Sequence, residues 1–156
     1  MHKHILIPTD GSDLSEKAIG YGITLAKSVG ARVTVVTVTA PFHVFAVLPT
    51  MITDTPEQHE LHAGEIAEKY LKGARLSAAA VGLTCQTVHV VHEHPYRAII
   101  ETAARNSCDL IVMASHGRRG VSAILLGSET VKVLTHCTIP VLVFRASHYS
   151  PPGVTS

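Results

Sequence analysis

Ile5 to Gly30 reads ILIPTDGSDLSEKAIGYGITLAKSVG, and this stretch decides the fold. Ile5-Leu6-Ile7 is an apolar run of strand character, closed at once by Pro8, Thr9, Asp10 and Gly11, residues that favour turns. Ser12 and Asp13, followed by Glu16, predict a helix N-cap with a capping box. Ala18, Ile19, Ile23, Leu25 and Ala26 then recur at helical spacing until Gly30 stops the helix.

The same strand, turn and helix recur along the chain. Arg32 to Thr39 (RVTVVTVT), Thr84 to Val91 (TCQTVHVV), Asp109 to Met113 (DLIVM) and Ile139 to Phe144 (IPVLVF) are rich in β-branched residues and of strand length. Pro56 opens a longer helix carrying Leu61, Ile66, Ala67, Tyr70, Leu71 and Ala74, which runs out near Gly82. Pro95 opens a third with Ala98, Ile99, Thr102 and Ala103 on one face, and Ser128 to Leu134 is a fourth. Continuous apolar strands alternating with helices predict a doubly wound α/β domain whose parallel sheet is covered on both faces.

The bulk properties agree. With 156 residues, 46% of them hydrophobic and 16% charged, the chain can bury one ordinary core. Residues 1–146 are expected to form the domain and 147–156 a frayed tail. Ala40 to Thr55 is the long connection without periodicity, a lid or partner surface by its length. Thirteen basic residues against 12 acidic leave a formal charge of +1, which excludes a field that would attract nucleic acid or an anionic membrane over the whole surface. Cys85, Cys108 and Cys137 form no C-x-x-C pair and read as free thiols in a reducing compartment. The N-terminus has neither the pattern of a signal peptide nor that of a spanning helix, so the expected address is the cytoplasm.

Ligands of open parallel sheets sit beyond the carboxyl ends of the strands. Two segments belong there: Pro8 to Ser12, and ASHGRRGVSAILLGSET from Ala114 to Thr130. In the second, Gly117 allows a close backbone approach and Gly120 loosens the middle. Gly127-Ser128 stands before a helix whose first amides lack internal partners. Such a helix end, with the hydroxyls of Ser128 and Thr130, suits phosphate oxygens, and Arg118 and Arg119 add positive charge. The plainer alternatives are a simple helix cap at Gly127-Ser128 and a solvated loop for the arginines. Neither a P-loop nor a G-x-G-x-x-G fingerprint is present. Asp10 would meet ribose, base or hydrated Mg²⁺, or else cap the helix that follows it.

Together these residues resemble the universal stress protein family from Ile5 to Arg145. Its opening strand ending in Pro-Thr-Asp-Gly-Ser is similar to Pro8 to Ser12. Its Gly-Ser-His-Gly, nine residues, then Gly-Ser is similar to Ala114-Ser115-His116-Gly117, nine residues, then Gly127-Ser128. The resemblance implies a five-stranded parallel sheet in the order 3-2-1-4-5, frequent dimerisation through the last strand (Pro140 to Phe144), and, in its ATP-binding branch, a nucleotide site. Carried over, that site takes Gly117, Gly127, Ser128 and the following amides of Glu129 and Thr130 for phosphate. Asp10 with Pro8 and Thr9 would serve the nucleoside, Val38 the adenine, and Met113 the base or ribose side. Ala114 departs from the pattern, standing where that branch usually has its first glycine; its methyl group crowds the ligand or is harmless, depending on the backbone angle. Glu93 is a lesser departure, before the helix-opening Pro95.

The function implied is a cytosolic stress-response protein that binds ATP with Mg²⁺ as a dimeric regulator. The alternative is a dimeric interaction protein that holds no nucleotide, the reading Ala114 favours. No catalytic residue is expected: His116 positions its loop, no general base for attack on a γ-phosphate is evident, and slow hydrolysis is the most the pattern implies. The pairs His2 and His4, His59 and His62, and His92 and His94 share faces by spacing, but none is joined by a ligand triad, so no metal site is expected.

Overall fold

A computed structural model of the chain describes residues 1–42, 55–118 and 126–145. The connection 43–54, the stretch 119–125 with Arg119 and Gly120, and the tail from 146 lie outside them. Element order is β1 (His4–Pro8), α1 (Asp13–Val29), β2 (Arg32–Thr39), α2 (Pro56–Ala80), β3 (Cys85–Val91), α3 (Pro95–Arg105), β4 (Leu110–Ala114), α4 (Ser128–His136) and β5 (Val141–Phe144). The strands form one parallel sheet in the order β3-β2-β1-β4-β5, as the sequence implied.

Alternation along the central strands divides the core. Ile5, Ile7, Val33, Val35, Leu110 and Val112 meet α1 and α2 through Ile19, Ile23, Leu71 and Ala74. Leu6, Val36, Ile111 and Met113 meet α3 and α4 through Ile99, Ala103 and Val133. Thus α1 leaves β1 on one face while α4 leaves β4 on the other. Because β1 and β4 are neighbours, the crevice between their following loops lies at the switch point of the sheet.

Helix ends follow local chemistry. Gly30 closes α1 at φ 70°, and its amide reaches the Ala26 carbonyl. Thr55 and Gln58 form a reciprocal capping box before Pro56. At α1 the cap differs from expectation: Ser12 is the N-cap and its hydroxyl accepts from the Ser15 amide at 3.3 Å. Counting from Ser12 places Ser15, not Glu16, at the third helical position, so no Glu16 box forms. The three cysteines are free, Cys85 and Cys108 buried and Cys137 half-buried; burial, then the Asp109 charge, pushes the Cys108 thiol up to about 11. Among the described residues no helix is long and apolar enough to cross a membrane.

The histidine pairs are dispersed in use. His4 is 4% exposed on β1, with Nε2 2.8 Å from the Thr34 hydroxyl and Nδ1 lacking a partner among the described residues. His59 bonds the Ala40 carbonyl at 3.0 Å, and the His92 and His94 rings sit 6.0 Å apart. Among the described residues no three His, Cys, Asp or Glu side chains converge. Burial, then the Arg32 charge, lowers the His4 pKa below its ordinary 6.5, against weaker upward pulls from the Asn106 backbone and Asp109. The unfolded chain therefore takes this proton at higher pH than the folded one. Stability is full above 6.5 and falls as pH drops below it. Thermal melts between about pH 8 and about pH 5 should show a steeper acid loss for wild type than for His4→Gln, and parallel curves would exclude His4 as the cause.

Candidate functional site

The turn after β1 is fixed from three sides. The Thr9 amide donates to the Val36 carbonyl at 2.8 Å, and the Thr9 carbonyl accepts the Thr37 hydroxyl at 2.8 Å. The Thr9 hydroxyl accepts the Gly11 amide at 3.1 Å and lies 3.0 Å from Ser15 Oγ. Pro8, half-buried, ends the strand in register with Val36. Gly11 has φ 74°, and the Tyr70 ring of α2 occupies the space a Cβ would need. Only glycine satisfies both demands.

Asp10 joins this turn to the glycine loop. Its Oδ1 accepts the Ser12 amide at 3.0 Å and its Oδ2 the Arg118 amide at 2.8 Å. Burial pushes its pKa up, but bonds from the Ser12 hydroxyl and amide, the Arg118 amide and Ser15 prevail and hold it below the usual carboxylate value. The carboxylate is therefore ionised at neutral pH. Gly117 lies directly on it, and a Cβ there would run into Oδ2.

The spacing of the glycines has a structural reason. Ser115 donates its amide to the Phe144 carbonyl at 2.8 Å, and its own carbonyl accepts the Gly127 amide at 2.6 Å. The loop thus closes on itself at residues 115 and 127. Gly127 has an ordinary φ of −70°, so space rather than backbone angle requires glycine: a Cβ would stand 3.0 Å from His116 Cα and 3.3 Å from His116 Cβ.

Beyond Gly127 begins α4, with no side-chain cap. Its first internal bond is from the Val131 amide to the Gly127 carbonyl at 3.0 Å. The amides of Ser128, Glu129 and Thr130 have no acceptor among the described residues, and Ser128 is exposed. Here the positive end of the helix dipole is open. The side chains of the first turn have other tasks. Thr130 donates its hydroxyl to the Ala114 carbonyl at 3.0 Å, so the expected hydroxyl contribution to an anion falls to Ser128. Glu129 Oε2 accepts the Tyr96 amide at 2.9 Å, and Oε1 lies 3.4 Å from Lys132 Nζ.

That Glu129 contact caps α3 from another helix, because the N-cap His94 makes no side-chain bond of its own. Glu129→Ala should lose about 1 kcal/mol of stability, as cap removals do, seen as a melting temperature about 2–4 °C lower. A melt superimposable on wild type would deny the cap its role.

The remaining expected residues are placed as follows. Val38 is half-buried and in register with Val90, and it borders the apolar cluster on the α3 and α4 face to which Met113, 6% exposed, belongs. Ala114 ends β4, has no positive φ, and turns its methyl into a cluster with Leu14, Ala18 and Phe144. Its backbone thus keeps the angle on which the harmless alternative depends. His116 Nδ1 lies 3.2 Å from Ser115 Oγ. Arg118 turns back onto the β1 turn, with Nε on the Asp10 carbonyl at 2.8 Å. Arg119 lies outside the described residues. An open cavity of about 300 Å³ beside the loop is lined by Ser12, Asp13, Lys17, His116, Gly117 and Arg118 among others.

Sequence reading passed over Ser15, Lys17 and Tyr70 as parts of this edge. Tyr70 carried a usable signal, since a phenol in an otherwise aliphatic helical stripe needs a polar partner for its hydroxyl.

Comparisons with known proteins bear on the family and the fold. A family model described as the universal stress protein family matches residues 1–145. A universal stress protein of Methanocaldococcus jannaschii is 32% identical over 148 residues, spanning 93% of this chain and 83% of that protein. Among solved structures, the hypothetical protein MJ0577, the subject of a structure-based assignment of biochemical function, superposes with a TM-score of 0.79. It is 26% identical, and the match covers 96% of this chain and 99% of that one. A universal stress protein solved in complex with cAMP has a TM-score of 0.66 at 23% identity, covering 94% and 99%. One of Archaeoglobus fulgidus in complex with dAMP has 0.64 at 19%, covering 91% and 97%. At these last identities the likeness is one of fold.

Proposed function

The chain belongs to the universal stress protein family, and from that premise we propose that it is a cytoplasmic stress-response protein that binds ATP between the β1 and β4 loops. One observation carries this reading: the amides of Ser128, Glu129 and Thr130, which have no acceptor among the described residues, at the switch point of the sheet. The cAMP and dAMP complexes of two proteins of the same fold support adenine nucleotide as the class of ligand.

The residues present fit such a group. A Cβ at Gly117 or Gly127 would crowd the loop that the phosphates approach, and the α4 amides with Ser128 offer donors to phosphate oxygens. Glu129 and Thr130 contribute through their backbone, while Arg118 and Arg119 give the loop its charge and His116 steadies it. Pro8, Thr9, Asp10, Val38, Met113 and Ala114 form the nucleoside side. Asp10, an ionised carboxylate beside the glycine loop, suits a hydrated Mg²⁺ that accompanies the phosphates. Binding rather than turnover is the proposed activity, with slow hydrolysis at most, because no side chain among the described residues is paired to activate a water.

A homodimer through β5 completes the proposal. This strand is the sheet edge beside β4, and its residues are half-buried in the single chain, so pairing with a second copy would satisfy its open backbone. The nucleotide-free alternative rested on Ala114, whose methyl packs against α1.

Denatured and refolded protein, emptied of ligand and titrated with ATP and Mg²⁺, should saturate below millimolar ATP. Ala114→Gly should bind within about twofold of wild type, because the methyl it removes faces Leu14, Ala18 and Phe144 while the nucleoside would meet the backbone. No saturation at millimolar ATP would refute nucleotide binding. A large gain for Ala114→Gly would show that the methyl crowds the ligand after all.

A further inference from the structure

Arg118 makes contacts that a phosphate ligand would not need. Its Nε donates to the Asp10 carbonyl at 2.8 Å, and its Nη2 to the Gly11 carbonyl at 3.1 Å and the Tyr70 hydroxyl at 2.7 Å. The guanidinium stacks over the Tyr70 ring at 5.4 Å, while the Arg118 amide holds Asp10 Oδ2. Three distant segments meet there: the β1 turn, the middle of α2 and the start of the glycine loop. Gly11 makes the meeting possible, since its missing Cβ is where the Tyr70 ring lies.

A planar fork of donors stacked on an aromatic face suits this geometry, and lysine would not reproduce it. An arginine poised for a ligand would keep its fork free. Here Nε and Nη2 are turned to carbonyls of the protein itself.

We propose that Arg118 is a positioning residue: with Tyr70 it clamps the start of the glycine loop onto the β1 turn, and it acts on the nucleotide only through the loop it holds. The purpose of the clamp rests on the nucleotide reading, but its geometry does not. Nucleotide-free protein is therefore the right sample for its test.

Hydrogen exchange of the Arg118 and Gly127 amides, the two that anchor the loop, would be measured in wild type, Tyr70→Phe, Arg118→Ala and the double variant. Tyr70→Phe keeps the ring and removes only the hydroxyl, so it decides the matter even where Arg118→Ala folds poorly. Tyr70→Phe, which loses one hydrogen bond, should exchange about three- to tenfold faster at these amides, and Arg118→Ala, which loses three, at least as much, with the sheet amides unchanged. The double variant should be no faster than Arg118→Ala, because both changes break one clamp.

Unchanged exchange in the single variants would overturn the proposal and return Arg118 to the ligand. Additive effects would overturn the partnership with Tyr70. If wild type binds no adenine nucleotide, the nucleotide reading fails, and the exchange rates still decide whether the clamp exists.

Discussion

Gly127→Val is expected to weaken ATP binding at least about a hundredfold, the loss of one or two charge-assisted hydrogen bonds to phosphate. The valine fits the local φ of −70°, so helix α4 can still start there. It does not fit the space, because its Cβ would stand 3.0 Å from the His116 Cα. Backbone at residue 116 must then give way, which strains the loop closure between Gly127 and Ser115. Titration calorimetry on protein with a wild-type circular dichroism spectrum checks this. An unchanged affinity would mean that nucleotide, if bound, is held elsewhere.

Gly11→Ala should be the most destabilising of the small substitutions, by about 2–5 kcal/mol, combining a strained left-handed backbone with overpacking. The φ of 74° and the Tyr70 ring both oppose the new methyl. Gly73→Ala in the exposed part of α2 is the contrast, since nothing among the described residues lies within 4 Å of its Cβ. It should stabilise by about 0.5–1 kcal/mol. Urea midpoints of the two variants should therefore move in opposite directions. A shift of Gly11→Ala no larger than that of an ordinary surface change would contradict the packing described for Tyr70.

The fold was legible because its signals are local and repeated. Ile5-Leu6-Ile7 followed by a turn, Ser12 as cap and Gly30 as stop depend on the near sequence, and the structure agrees to within a residue or two at most ends. The cap at α1 slipped by one, since Ser12 and Asp13 are both good N-caps and the tertiary bond between Thr9 and Ser15 favours the former.

The site was legible only in part. Glycine spacing pointed to residues 117 and 127, but not to the two different reasons for them, an approach to Asp10 and a crossing of His116. Glu129 looked like a first-turn residue of an anion site, and its side chain caps α3 instead. Arg118 looked like a free cation, yet it is bound to a tyrosine 48 residues away in sequence. Such contacts depend on which segments the sheet order brings together, and no periodicity records them.

Amide nitrogen and proton chemical shifts of Ser128, Glu129 and Thr130, followed by nuclear magnetic resonance through a titration with ATP and Mg²⁺, test the phosphate cradle most directly. The expected result is large, saturable shifts of these three amides and of Gly117, with residues at the opposite edge of the sheet such as Lys3 and Asp109 unmoved. Saturable shifts that spare the start of α4, or none at millimolar ATP, would contradict it.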